Sequence, residues 1–428
     1  MFFKGLQFAG LFSYDEENFM KANQLELYPV RPVTNPHEIH AQVPGSKSIT
    51  NRALLLAAMA DGKTCLHSVL FSDDSRVFMQ ALLDLGFEVD IDETNACVTI
   101  TGLGGRIPKE CAEVYVGSAG TAARFLTAFL GLSIGRYRMT CSEQMQKRPM
   151  KELLCALEEI GARIEYEQEP YHFPFTIGMG SLRTNSTTVC IDKSSQFLSA
   201  LLIAKPLLPP SFEIHITGTH GMKYVEITEK MIADFHTGDY IIEPDVSAAC
   251  YFYAMGAILG QKSIVADVHF DSMQGDLAFL HVLEKMGCQL RETEEGIELI
   301  PGKQLHGGSF DFSEFSDQAL TMAAIAVFAD SDVRIEGVDH IRMQECDRIN
   351  AILCNLKEMG IEAAESDGVI TIHPSKPHAA QIQTFDDHRV AMAFTIPGLI
   401  IDGIIIENPM CCRKTFENYF ECLEQDLY

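Results

Sequence analysis

The chain has no uninterrupted apolar run of about 18 residues, the length a membrane-crossing helix requires. That absence excludes an ordinary helical membrane span, since charge or glycine breaks the longest apolar stretches. It also has no Cys-x-x-Cys pair. The 13 cysteines are scattered, with Cys411 and Cys412 adjacent. Such usage fits reduced thiols in a cytosolic protein better than a disulfide framework. Positive charge is scarce: 33 Lys and Arg stand against 59 Asp and Glu, for a net charge of -26. Nucleic acid is therefore an unsuitable partner, because its binding depends on neutralising phosphates with Lys and Arg. Screening confines that overall repulsion to about 8 Å at physiological salt, so a small anion could still bind where the site is locally basic.

Familiar phosphate and metal motifs are missing too. Gly62-Lys63-Thr64 resembles the end of a P-loop, but Ala57 stands where that loop needs glycine. Gly102, Gly104 and Gly105 lead into Ile107 and Pro108 rather than opening a helix, so they make no dinucleotide fingerprint. His37-Glu38-Ile39-His40 lacks the spacing that sets two imidazoles on one helix face. The first residues turn acidic at Asp15, Glu16 and Glu17 with no clear cleavage site, and residues 1–24 read as an N-terminal extension.

What is present is repetition. A helix ending at glycine and followed by an alternating strand recurs at Gly86, Gly161, Gly287 and Gly360, with spacings of 75, 126 and 73 residues. The long middle gap implies a damaged copy. EITEKMIADFHTGDYIIEPD fits it, with a helix running almost directly into a strand, so one unit is expected to be truncated near residues 231–245. A sixth unit is expected to pair the terminal helix, from Lys414 onward, with strands near Gln24 to Val43. A chain of 428 residues with 47% hydrophobic content favours two domains. The reading is α/β, with six βαβ-type units: residues 25–44 plus 246–428 form one domain and residues 45–245 the other. The chain crosses between them near Pro44 and Gly45 and again near Asp245.

The chemistry-bearing residues recur at helix starts. PGSKSITNRALLLAA places Lys47 and Ser48 at the opening of an apolar helix with Arg52 a turn later. Free N–H groups and the positive dipole end make such a start an anion site. SAGTAARF, with Arg124, and SSQFLSALL repeat the pattern, as do the helices after Asp245, Ser316 and Asp387. One such cap is ordinary helix chemistry. Six in a repeat point to helix ends aimed at a common cleft between two domains.

These segments, together with KRPM, ECDRI and RKTFENYF and in this order, are similar to the signature segments of the 5-enolpyruvylshikimate-3-phosphate synthases, in the enolpyruvyl transferase family. The resemblance implies the two-domain inverse-horseshoe fold. It also implies transfer of the enolpyruvyl group of phosphoenolpyruvate to the 5-hydroxyl of shikimate-3-phosphate, with phosphate released and no metal or organic cofactor. A monomeric state, a cytoplasmic location and no membrane or nucleic-acid partner accompany this expectation. Carried over by position, Lys47, Gly120, Arg124, Arg148, Gln196, Arg348, His388, Arg389 and Lys414 would surround phosphoenolpyruvate. Lys47, Ser48, Arg52, Ser194, Ser195, Gln196, Tyr224, Asp317 and Gln344 would hold shikimate-3-phosphate. Asp317 and Glu345 stand as the acid/base pair, with Lys47 as a third catalytic residue. The resemblance also implies sensitivity to glyphosate, with Gly120 leaving room beside phosphoenolpyruvate.

The pattern breaks in places. Gln344 occupies a position where the family carries lysine, His340 and Ser118 stand where asparagine is common, and Gly221 where a substrate-contacting serine is expected. Three readings stay open: an active synthase, a sister transferase acting on UDP-N-acetylglucosamine, and a non-catalytic binding or scaffolding descendant. The second expects Lys-Asn in place of Lys47-Ser48 and a loop cysteine, yet none lies between Cys111 and Cys141.

Overall fold

A computed structural model describes residues 26–428. The extension read over residues 1–24 lies outside the described residues. Four sheets share one plan: a parallel outer strand, then two antiparallel neighbours. The sheet Cys111–Tyr115, Arg136–Thr140, Phe175–Met179 and Ala162–Tyr166 shows it. Its first two strands run parallel because the helix Gly120–Gly131 connects them, whereas Ala162–Tyr166 and Phe175–Met179 form an antiparallel pair. The four helix-ending glycines all have positive φ, from 77° at Gly360 to 130° at Gly161. That conformation turns the chain from helix into strand without a side-chain clash.

Two sheets depart from this plan. Ser186–Cys190 and Glu213–Thr217 form a sheet of two strands, and the following helix Met222–Asp234 leads straight to Gly238–Ile241 in a different sheet. The last sheet has three strands. There Leu27–Pro29 pairs with Ile404–Glu407, but Ile39–Ala41 joins Ser263–Val265 in another sheet. The strands near Gln24 to Val43 are thus shared between two units, whereas the sequence suggested one.

Each crossing donates a strand. Gly238–Ile241 lies beside Asp61–His67, and Ile39–Ala41 beside Ser263–Val265. The two crossings run side by side. Asp245 N donates to Pro44 O at 2.8 Å and Ser46 N to Glu243 O at 2.8 Å. A Cβ at Gly45 would stand 1.9 Å from Ser68 O, so only glycine fits there.

Two hydrophobic clusters fill the molecule. One gathers residues such as Ile49, Phe125 and Phe197, and the other Ile39, Phe252 and Phe394. Helices such as Val246–Leu259 are apolar on every side and nearly wholly buried, packed within their cluster. Truncating Phe125 or Phe252 to Ala would remove a fully buried ring, a change that costs about 3–5 kcal/mol in typical cores. No described helix is long and apolar enough to cross a membrane.

Candidate active site

Six helix starts converge on one polar pocket between the two clusters. Lys47 opens the helix Lys47–Met59, Gly120 opens Gly120–Gly131 and Gln196 opens Gln196–Ala204. Facing them are Ser316 and Asp317 in the turn before Ala319–Ala326, and Arg348 and Arg389 at the starts of Arg348–Glu358 and His388–Thr395. Asp245 ties the Lys47 start to the helix Val246–Leu259, whose own start does not line the pocket. One carboxylate oxygen accepts from Lys47 N at 3.2 Å and the other from Ala248 N at 3.1 Å. Seven cationic side chains line the pocket against three carboxylates, making it basic in a strongly acidic protein.

One wall is built of arginine forks. Arg124, 1% exposed, donates to Pro149 O at 2.9 Å and to Gln196 Oε1 at 3.2 Å. Arg148 reaches Ser118 O at 3.4 Å and lies 3.6 Å from Glu345. A Cβ at Gly120 would stand 2.5 Å from Arg124 Nη1 and 2.7 Å from Arg148 Nη1, so a missing side chain lets both guanidiniums cover the helix start. Arg348 is held on three sides, by Asp317 and Asp387 at 2.8 Å each and Glu345 at 3.1 Å. Arg389 meets the other oxygen of Asp317 at 2.8 Å.

Charge sets the protonation of these groups. Burial alone would raise the Glu345 carboxyl, but Arg148, Lys414, Arg348 and Lys47 overcome it and hold it well below the carboxylate range. Burial likewise opposes ionisation of Asp317, and Arg389 and Arg348 hold it low. Burial pushes Lys47 downward, with Asp74 at 3.8 Å supporting its charge.

The other wall is made of hydroxyls, amides and rings. Arg52 is spent on scaffolding, donating to Thr228 Oγ1 at 2.7 Å, Ser48 O at 2.8 Å and Tyr224 O at 2.9 Å. Tyr224 OH points to Asp317 at 3.5 Å. His220 and His340 pack together with ring centroids 3.7 Å apart and planes tilted by 42°, and His340 Nε2 lies 2.8 Å from Ser316 Oγ. Burial and then His220 push His340 down to about 4, so both rings are neutral near pH 7. Gly221 has φ 66°, and a Cβ there would meet Ser195 Oγ at 2.8 Å. The backbone itself therefore disfavours a serine at 221. Gln344 turns its amide oxygen to Arg348 Nη1.

Of the residues assigned to the ligands or to catalysis from sequence, all but two line this pocket. Lys414 sits just behind it, 3.5 Å from Glu345. His388 is fully buried, with neither ring nitrogen hydrogen-bonded, and does not line the pocket. Its imidazole is kept neutral by burial and by Lys47 and Arg389. The sequence reading missed Asp74, Lys193 and His220. His220 could have been suspected from its place beside the anomalous Gly221.

Fold and site together define a two-core α/β protein with a cationic cleft fed by helix ends. Comparison with solved structures gives the fold its place. An EPSP synthase structure from Acinetobacter baumannii superposes with a TM-score of 0.77 at 23% identity, covering 94% of this chain and 98% of that one. A second from the same organism gives a TM-score of 0.76 at 22% identity. The family model for EPSP synthase (3-phosphoshikimate 1-carboxyvinyltransferase) matches residues 34–237 and 236–423. A 3-phosphoshikimate 1-carboxyvinyltransferase of Nostoc punctiforme is 36% identical, covering 92% of this chain and 98% of its own. One from Trichormus variabilis is 38% identical over the same shares, and one from Shewanella baltica is 37% identical over 93% of this chain and 98% of its own. The chain belongs to the EPSP synthase family.

Proposed function

We propose that the chain transfers the enolpyruvyl group of phosphoenolpyruvate to the 5-hydroxyl of shikimate-3-phosphate and releases phosphate. The observation that carries this reading is the meeting of Lys47, Arg124, Arg148, Arg348 and Arg389 with Asp317 and Glu345 in one pocket. Guanidinium forks match the paired oxygens of phosphate and carboxylate, and Lys47 and Lys414 add mobile point charges. Residues 25–44 with 246–428, and residues 45–245, act as the two domains closing on the ligands. The relatives' names favour shikimate-3-phosphate over a UDP-sugar as acceptor.

In this mechanism Glu345 gives a proton to the methylene carbon of phosphoenolpyruvate, leaving a cationic centre at C2. The 5-hydroxyl oxygen attacks that centre and passes its proton to Asp317. Phosphate then departs while the new methyl group returns a proton, restoring the vinyl ether. Asp317, ionised and shared by two arginines, is suited to accept. Glu345 is held ionised by the cations around it, so it must gain a proton before it can donate. Phosphoenolpyruvate supplies the means: its negative charge occupies Arg148, Arg348 and Lys414 and removes the stabilisation that keeps Glu345 ionised. His388 acts from beneath, as a neutral spacer under Lys47 and Arg389, and does not contact ligand.

The test is phosphate release by purified protein, measured with both substrates and with each alone. Release that requires both supports the reading; none at millimolar substrate sinks it. Gln344 favours a second reading, a protein that binds these ligands without turnover. Calorimetry showing shikimate-3-phosphate bound, with no product formed, would select it.

A further inference from the structure

Outside the cleft, Cys65, His67, Cys97 and Asp239 gather on one face of a sheet, and none of them lines the pocket. Strand pairing brings them together. Cys65 and His67 are two residues apart on Asp61–His67 and project to the same side. Thr64 and Leu66 face the other way and are fully buried. Leu66 pairs with Val98 in the antiparallel strand Cys97–Leu103, which sets Cys97 beside His67. Asp239 pairs with Cys65 in the parallel strand Gly238–Ile241. Donor atoms of Cys65, His67 and Asp239 all lie within 4.8 Å of one another. His67 Nδ1 is 3.2 Å from Cys97 Sγ, and its Nε2 is 2.8 Å from Asp239 Oδ1.

We propose that Cys65, His67 and Cys97 bind a zinc-class divalent ion, with Asp239 fixing the imidazole from behind. Two thiolates and an imidazole form a donor set for zinc, whereas magnesium and calcium require oxygen ligands. Zinc bonds of about 2.3 Å to sulfur and about 2.0 Å to nitrogen place neighbouring ligand atoms roughly 3.5 Å apart in a tetrahedron. The Cys97 to His67 distance already approaches that spacing. An imidazole ligates through one nitrogen. Nδ1 faces the thiol and takes the ion, while Nε2–H donates to the Asp239 carboxylate, an arrangement that orients the ring and raises its basicity. Solvent completes the fourth position. Both cysteines enter as thiolates, so each ion bound releases two protons to solution.

The ion has a mechanical consequence. It clamps Asp61–His67 onto Cys97–Leu103, and Asp239, bonded to the ligating imidazole, ties Gly238–Ile241 to the same site. That strand runs within four residues into Asp245, whose carboxylate accepts from Lys47 N. The proposal stands apart from enolpyruvyl transfer, because its readout is metal binding.

The test uses the full chain, reduced and stripped with a chelator, then titrated with cobalt(II) and displaced with zinc(II). One equivalent of cobalt with a thiolate-to-metal charge-transfer band, lost on adding zinc, is expected. Cys97→Ser should weaken the band and lower zinc affinity at least tenfold. Asp239→Asn should keep the band and lower affinity about tenfold, the effect of losing an outer carboxylate. A wild-type chain with no thiolate band, a band unchanged in Cys97→Ser, or a Cys65–Cys97 disulfide in place of the ion would each overturn the proposal. Because Cys97 is half-exposed, its replacement by serine keeps the fold in place for the measurement.

Discussion

The two walls of the cleft differ in kind. On one, Arg148, Arg348 and Lys414 converge on Glu345, with Arg124 held nearby by Gln196 and Pro149. On the other, His340, Gln344 and the left-handed Gly221 stand where the family pattern has asparagine, lysine and serine. The first wall binds by fixed charge. The second presents mostly hydroxyls, amides and neutral rings, which discriminate by position rather than by attraction at a distance. On the proposed function, the departures from the family pattern fall on the wall assigned to the acceptor rather than on the one assigned to phosphate and carboxylate.

Asp317 spans both walls, and its loss should have the largest effect. Asp317→Asn removes the proposed base and leaves Arg348 and Arg389 short of an ion pair, so kcat should fall about 10²–10⁴-fold. A loss smaller than tenfold in steady-state assays would remove Asp317 from the chemistry. Gly120→Ala breaks the charged wall alone. Its Cβ displaces the Arg124 and Arg148 guanidiniums, so the KM for phosphoenolpyruvate should rise about 10-fold or more, the size of a lost charge-assisted bond, while that for shikimate-3-phosphate changes little. Glyphosate inhibition should weaken by more than the phosphoenolpyruvate KM rises. Equal changes in both KM values would erase the distinction between walls.

Gln344→Lys sharpens the comparison from the other side. A cation there should lower the KM for shikimate-3-phosphate about tenfold through a charge-assisted bond, with kcat nearly constant. A large rise in kcat instead would show that the native site is chemically impaired. The smallest effect concerns stability. His340 is lowered from 6.5 to about 4 in the fold, so between these values the unfolded chain binds a proton that the folded chain refuses. Its contribution is complete above pH 6.5 and is lost as pH falls toward 4. His340→Asn should therefore flatten that window, reducing the stability lost between pH 6.5 and 5 by about 2 kcal/mol in urea unfolding.

Much of this was legible in the sequence, for a physical reason. Helix-ending glycines and helix-opening cations are local signals, so the repeat and nearly all of the cleft's charged residues could be read from a few neighbours. Features made by tertiary contact could not. Asp74 and Lys193 serve elsewhere as an ordinary helix start and a surface ion pair, and only folding brings them to the pocket. The His220–His340 contact joins loops from opposite sides of the cleft. His388 carried a misleading signal: it follows a capping Asp and precedes a pocket arginine, yet the helix turns its ring inward. The split of Leu27–Pro29 from Ile39–Ala41 was equally invisible, since three-residue strands have too little alternation to declare a partner.

The exchange of strands at the two crossings also dictates an order of assembly. Ile39–Ala41 leaves the ribosome early but finds its partner only when Ser263–Val265 has been made, after all of residues 45–245. The inner half can close its sheets as soon as Gly238–Ile241 emerges, whereas the outer half holds an unpaired strand until then and closes over a long loop. Folding at the ribosome thus proceeds from the inside outward, and the strands left exposed to mispairing or chaperone capture are Ile39–Ala41 and, for longest, Leu27–Pro29, whose partner Ile404–Glu407 is made near the end.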